Sequence, residues 1–227
     1  MSHMLRALTL CVVLTILPAM ATIAAEQPAT VADPAPSTRL QALKQIEHPE
    51  AGVRRAAAAR LGEVGAMTDA DRLVGRLRDE DALVRQLAEA ALWKIWSRSG
   101  DRAIDALYLR GVQQMAASQL VEAVATFSEL IRRKPAFAEG WNKRATAYYL
   151  LGRFELSMHD CDEVLKRNRN HFGALAGYGQ MYLVQGDVER AQSYFERALK
   201  LNPNMGGVAA NLLLIEQHRE AKQRRTI

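Results

Sequence analysis

Five consecutive residues, His159, Asp160, Cys161, Asp162 and Glu163, bring together the side-chain types on which metal sites and cysteine nucleophiles draw. An imidazole, a thiol and three carboxylates could hold a zinc ion or arm a nucleophile. The spacing argues otherwise. On a helix, successive residues diverge, so Asp160 and Asp162 point to different sides, and only His159 and Glu163, four apart, can pair on one face. The chain has no second His/Cys cluster, nucleophile elbow, glycine-rich phosphate loop or zinc-protease helix motif to complete such a site. A metal-binding or catalytic protein built on His159–Glu163 is therefore the alternative reading. The expectation is no enzyme, no metal and no cofactor. His171, at the start of a helix, reads as a cap or turn residue.

A second cluster is polar beside aromatic: Trp141, then Asn142, Lys143 and Arg144, with Tyr148 and Tyr149 one to two turns on. An asparagine amide can pin an extended peptide backbone, and a lysine can meet a carboxylate. Whether these residues form a site depends on the elements that carry them.

Those elements repeat. Stepping 34 residues from Leu107 reaches Trp141 and Leu175, and the same step links Gly111, Ala145 and Gly179. It also links Gln114, Tyr148 and Tyr182; Ser118, Gly152 and Gly186; Ala123, Ser157 and Ala191; Phe127, Cys161 and Phe195; Pro135, Arg169 and Pro203. The physical content is a pair of antiparallel helices per copy. A small residue on the first helix lets the second come close, and a proline ends the unit because it cannot continue a helix. Cys161 falls in the slot of Phe127 and Phe195 and so faces the core. Arg169 replaces proline in the middle copy. That turn is expected to be looser, or capped by a left-handed Asn168 or Asn170. The pattern resembles the tetratricopeptide repeat (TPR), in three copies over residues 101–205. The stretch 206–227 supplies a capping helix and a basic tail with Arg219, Lys222, Arg224 and Arg225.

An earlier array precedes it. Ala51–Val64 aligns on Ala82–Ile95 with a step of 31, matching Val53 to Val84, Arg54 to Arg85, Ala57 to Ala88 and Leu61 to Leu92. Alanines on the apolar stripe let helices approach. "MTDADRLVGRL" reads as a further helix capped by Thr68 or Asp69. The Val-Arg step and the alanine content resemble short HEAT-type repeats over residues 39–100. In that frame Arg54 and Arg85 are structural, paired to acids such as Asp79 and Asp81. Trp93 and Trp96 read as a weld that joins this array to the first TPR helix in one rod; the sharper alternative is an exposed hot spot for a partner.

Composition agrees with an all-α fold: 14 glycines and 7 prolines are few for 227 residues, and aromatics are only 6%. The formal charge of +5 is interspersed except at the tail, and no aromatic pattern of an RNA-binding module accompanies it, so no nucleic-acid partner is expected. Residues 1–3 read as a cloning remnant. Arg6, an apolar run from Ala7 to Leu17, Pro18 and then small residues have the layout of a signal peptide over residues 1–25. The expectation is export to a Gram-negative-type periplasm. The alternative is an inner-membrane anchor over residues 7–25, which makes the chain a membrane-attached assembly scaffold. Residues 26–38, rich in proline and alanine, form a linker. With the signal removed, Cys161 is alone, so no internal disulfide can form.

The whole is expected to be an all-α, right-handed helical-repeat solenoid, with HEAT-like pairs followed by three TPRs and a capping helix. It resembles small exported bacterial TPR proteins of unassigned function. The resemblance implies a protein-interaction scaffold whose concave groove, lined by the first helix of each repeat, takes a peptide or partner protein. The lining residues would be Tyr108, Val112 and Met115 in the first copy. Asn142, Lys143, Thr146 and Tyr149 follow in the second, Gln180 in the third and Asn211 on the cap helix. Arg144 points to the flank. The clamp by which some TPR proteins grip chaperone C-termini is not matched, because Tyr108, Val112, Ala176 and Gly177 stand where it needs polar and basic residues.

Overall fold

The structure is a computed structural model that describes residues 35–224. The described residues form eleven α-helices and no strand. The signal-peptide and anchor readings, most of the linker and Arg225 lie outside them.

Four helices make the N-terminal unit: α1 (Arg39–Gln45), α2 (Ala51–Val64), α3 (Ala70–Arg76) and α4 (Ala82–Trp96). The alanines do what their size permits. Ala57, Ala58, Ala88 and Ala91 are buried where α2 and α4 meet, and a Cβ on Gly62 would sit 3.2 Å from the Ala91 backbone. Thr38 caps α1 through a capping box with Gln41. Asp69 precedes α3, but its carboxylate accepts from the Ala66 amide and pairs with Arg39 instead of capping that helix.

The Val-Arg step makes a ladder. Arg54 donates to the His48 and Pro49 carbonyls and binds Asp79 in a bidentate pair at 2.7 and 2.8 Å. One step on, Arg85 donates to the Asp79 and Glu80 carbonyls, the equivalent positions. The expected acid is missing there. The Arg85 Nε donates instead to Asn204 Oδ1, which belongs to a turn more than a hundred residues away.

The C-terminal array comprises α5 (Arg102–Ala116), α6 (Leu120–Arg133), α7 (Ala138–Leu150), α8 (Phe154–Arg167), α9 (Phe172–Val184), α10 (Val188–Leu201) and α11 (Gly206–Arg224). They pair as α5 with α6, α7 with α8, and α9 with α10, and α11 caps the last pair. A Cβ on Gly111 would lie 2.5 Å from the Phe127 ring, and one on Gly179 would lie 2.4 Å from Phe195, so each ring fills the space of an absent side chain. In the middle copy Ala145 and Cys161 share that contact region, both buried. Burial pushes the Cys161 thiol up to about 12. The turn within each pair passes through the left-handed region at Ser118, Gly152 and Gly186, with φ of 60, 70 and 80°.

The turns between pairs differ from expectation. Asn168 has an extended backbone, and no asparagine is left-handed among the described residues. The arginine at 169 needs no special conformation, because Asn168 Oδ1 accepts the Asn170 amide and closes the turn. Asn202 Oδ1 does the same for Asn204 around Pro203.

These two Asn-x-Asn turns are where the units meet. Asn170 Nδ2 donates to Asp71 at 2.6 Å, and Asn204 Nδ2 donates to the Leu77 carbonyl at 2.8 Å. Arg78 donates to the Lys200 carbonyl. Trp93 and Trp96 do weld the two arrays, but onto the third repeat and not end-on to the first. Trp96 stacks on His171 at 4.7 Å, and Trp93 meets Phe172 edge-on at 5.3 Å. The N-terminal core therefore includes Phe172 and takes Leu201 and Met205 at its margin. The units fold back along the inter-repeat turns instead of extending as a rod.

Candidate functional site

The five-residue cluster is dispersed by its own helix. Cys161 is buried, Asp160 forms a bidentate pair with Arg144 at 2.7 and 2.8 Å, and Asp162 accepts the Tyr178 hydroxyl. Glu163 binds Lys166 and Arg167, not His159, because cations three and four residues further along the helix offer it a full charge. His159 lies exposed beside Asp160. No three metal-ligating side chains converge among the described residues.

The first helices of the repeats, α5, α7, α9 and α11, lie in one layer. Helix α7 packs beside both α5 and α9, and Asn211 of α11 donates to Gln180 of α9 at 3.4 Å. The sequence-derived residues all lie on this layer, in two different states. Val112, Met115, Thr146 and Tyr149 are half-buried. Tyr108, Asn142, Gln180 and Asn211 are buried and already bonded. Tyr108 packs on Phe137 and donates to Ser97 Oγ, Asn142 donates to Glu139, and Thr146 donates to the Asn142 carbonyl. Asn142 and Lys143, expected to meet a ligand, are each paired with Glu139 within the chain.

Glu139 is the residue that sequence reasoning missed. It stands one turn before Asn142 and Lys143 on α7, is fully buried, and accepts from the His171 ring at 3.0 Å and from Asn142 at 3.0 Å, with the Lys143 ammonium at 3.4 Å. His171 caps α9 by accepting the Ala174 amide at Nδ1, so its proton sits on Nε2, facing Glu139. Burial pushes the Glu139 carboxyl up, but Lys143 and the bonds from His171 and Asn142 outweigh it and hold it at about 2. Burial lowers the Lys143 ammonium and Glu139 raises it, with a net rise. The only advance signal was the four-residue spacing of Glu139 and Lys143.

The hub closes one end of the layer. Trp96 covers His171, Ser97 meets Tyr108, and Lys134 donates to the Ser99 carbonyl at 2.6 Å. At the other end the first helices run out towards the Ser118, Gly152 and Gly186 turns, and Leu150 and Val184 are exposed there, while Leu109 and Leu214 are exposed along the middle of α5 and α11.

The tetratricopeptide-repeat family profile matches residues 138–171 and 172–205, which are α7–α8 and α9–α10 with their turns. A TPR repeat-containing protein of Rhizobium etli is 32% identical over 108 residues, 48% of this chain and 53% of that protein. The human DnaJ homolog subfamily C member 3 is 27% identical over 94 residues, 41% of this chain and 19% of that protein. The chain thus spans about half the length of the first relative and a fifth of the second. The TPR domain of Sgt2 from Aspergillus fumigatus superposes with a TM-score of 0.51 at 19% identity, over 55% of this chain and 83% of that domain, which is a likeness of fold. The helix pair α5–α6 has the glycine–phenylalanine contact of α9–α10, two steps earlier. The repeat is thus matched twice, and residues 138–205 are two tetratricopeptide repeats to which α5–α6 is similar in packing.

Proposed function

We propose that the chain is a non-enzymatic interaction scaffold that holds a peptide segment or partner protein on the face shared by α5, α7, α9 and α11. One observation carries this reading: the chain covers that face with its own N-terminal unit at one end only, and leaves the other end to solvent. A repeat array gains nothing in stability from a half-open face of large side chains, whereas an interaction surface needs one. The N-terminal helices, of HEAT type in this reading, act as a fixed wall of the site. Export through residues 1–25 places the scaffold in the periplasm, and N-terminal sequencing of the natively exported protein tests that part. Recovery of an intact Arg6 in the membrane fraction would make the protein an anchored scaffold instead.

The face is tested by placing a photo-crosslinking residue at Thr146 and, separately, at Glu129 on the outer helix α6. Partner capture from Thr146 and not from Glu129 is the expected result. Capture from Glu129 alone would move the site to the outer helices.

A further inference from the structure

The repeat step turns the shared face into a grid. On each first helix the same three positions, at i, i+3 and i+7, point along one stripe. They are Leu109, Val112 and Ala116 on α5, and their equivalents 34, 68 and 102 residues on. Across the four helices the large apolar members Leu109, Leu150, Val184 and Leu214 are 58, 37, 36 and 45% exposed. Lys143 and His218 are the only ionisable residues among the twelve positions, and none is a carboxylate. The Lys143 charge is already spent on the buried carboxylate of Glu139, 3.4 Å away.

That balance selects among ligands. An acidic peptide would have to compete with Glu139 for one ammonium, and the Glu139 carboxylate would repel it. An uncharged segment meets no such cost and covers four exposed apolar side chains. Adjacent helices lie about 10 Å apart, and an extended chain of polyproline-II form advances roughly 3.1 Å per residue with three residues per turn, so one ligand side chain in three falls on the same side, opposite each helix. We propose that this face takes an uncharged, extended segment of a partner protein with a large apolar side chain at about every third residue, and not an acidic tail. This rests on the reading of the face as the binding surface.

The test uses the full chain and two fluorescent decapeptides followed by anisotropy. One has leucine at every third position with serine and glycine between, and blocked ends. The other has aspartate and glutamate in place of the leucines and a free C-terminal carboxylate. Each is titrated against the wild type and against Leu150→Asp, Val184→Asp and the control Val121→Asp, which is exposed on α6 away from the grid. Circular dichroism and sedimentation of every variant confirm fold and oligomeric state. The expected result is binding of the apolar peptide, insensitive to added salt and weakened about tenfold by each grid variant but not by the control. Tighter, salt-sensitive binding of the acidic peptide overturns the ligand class and leaves the face standing. Apolar binding that ignores both grid variants overturns the face itself. A wild type that binds neither peptide and self-associates, with Leu150→Asp dissociating it, overturns both, because the face then pairs with a second copy.

Discussion

The two ends of the shared face solve opposite problems. At the N-terminal ends of α7 and α9, Glu139, His171, Asn142 and Lys143 are locked together beneath Trp96, and every one has a partner within the chain. At the C-terminal ends Leu150 and Val184 stand in solvent, with nothing but the next turn beyond them. Polar groups that are buried and paired specify a docking geometry, since any other arrangement strands a charge. Apolar groups left open specify nothing within the chain. The difference teaches that the residues with the most chemistry on the face are structural, and that the plainest ones are left uncovered.

Glu139→Ala attacks the closed end and carries the largest expected effect. It removes the carboxylate that the Lys143 ammonium and the His171 ring both face, and a broken buried pair costs about 3–5 kcal/mol. Urea denaturation of the variant is expected to show that loss. A change under about 1 kcal/mol would mean that the hub adds little to the packing of α7 on α9.

The same residue sets an acid limit. The Glu139 carboxyl is depressed in the folded chain, from 4.5 to about 2, so its contribution is present above pH 4.5 and is lost as the pH falls towards 2. The loss is on the order of 3 kcal/mol, since a tenfold change in proton affinity is worth about 1.4 kcal/mol. Glu139→Gln keeps the shape and can still accept from His171, so its stability is expected to be lower at neutral pH and flatter between pH 4.5 and 2. Parallel acid limbs in the two proteins would assign the transition to another group, with Asp79 and Asp81 the next to examine because both are also depressed.

How much of this was legible follows from the range of each contact. The repeat frame was readable because its contacts are local and recur: Gly111 with Phe127 and Gly179 with Phe195 are the same pair two steps apart. The fate of Cys161 and the capping role of His171 follow from that frame. Docking of the two units was not readable, since Asn170 with Asp71 and Asn204 with Leu77 join residues about a hundred positions apart that no periodicity relates. One trace did exist. The residue a step beyond Asp79 is Arg110, so Arg85 had no acid in the next repeat and had to find a partner elsewhere. Tyr108 and Asn142 were placed on the right helices and the right layer. The contact of Tyr108 with Ser97 depended on the other unit arriving.

Two glycines on α9 separate frame from face. Gly179→Leu forces a side chain into the Phe195 ring, 2.4 Å from the first added atom, and overpacking of this kind costs about 1–3 kcal/mol. Gly177, one of the grid positions, has only the Cys161 sulfur at 3.8 Å within reach of an added Cβ. Gly177→Ala is therefore expected to gain roughly 0.5–1 kcal/mol, because alanine loses less backbone freedom in a helix. Thermal melts of the two variants should move in opposite directions. Movement in the same direction would place the open face at the wrong side of α9.

The smallest effect is expected at the outer edge of the open end. Ser118, Gly152 and Gly186 occupy one slot, and all three have positive φ, but only Ser118 carries a side chain there. A left-handed conformation costs a residue with a Cβ about 1–2 kcal/mol, while glycine gives back roughly 0.5–1 kcal/mol in unfolded-state entropy. Ser118→Gly should thus stabilise the chain by about 0.5–1 kcal/mol, read as a higher urea midpoint with unchanged slope. The reverse change, Gly152→Ser, should cost a similar amount. Ser118 is exposed and lies beyond the grid, so neither variant should alter peptide binding on the face. If Ser118→Gly instead weakened binding while raising stability, the strained turn would be holding α5 at the angle the ligand needs, and the open end would be a shaped site and not merely an uncovered one.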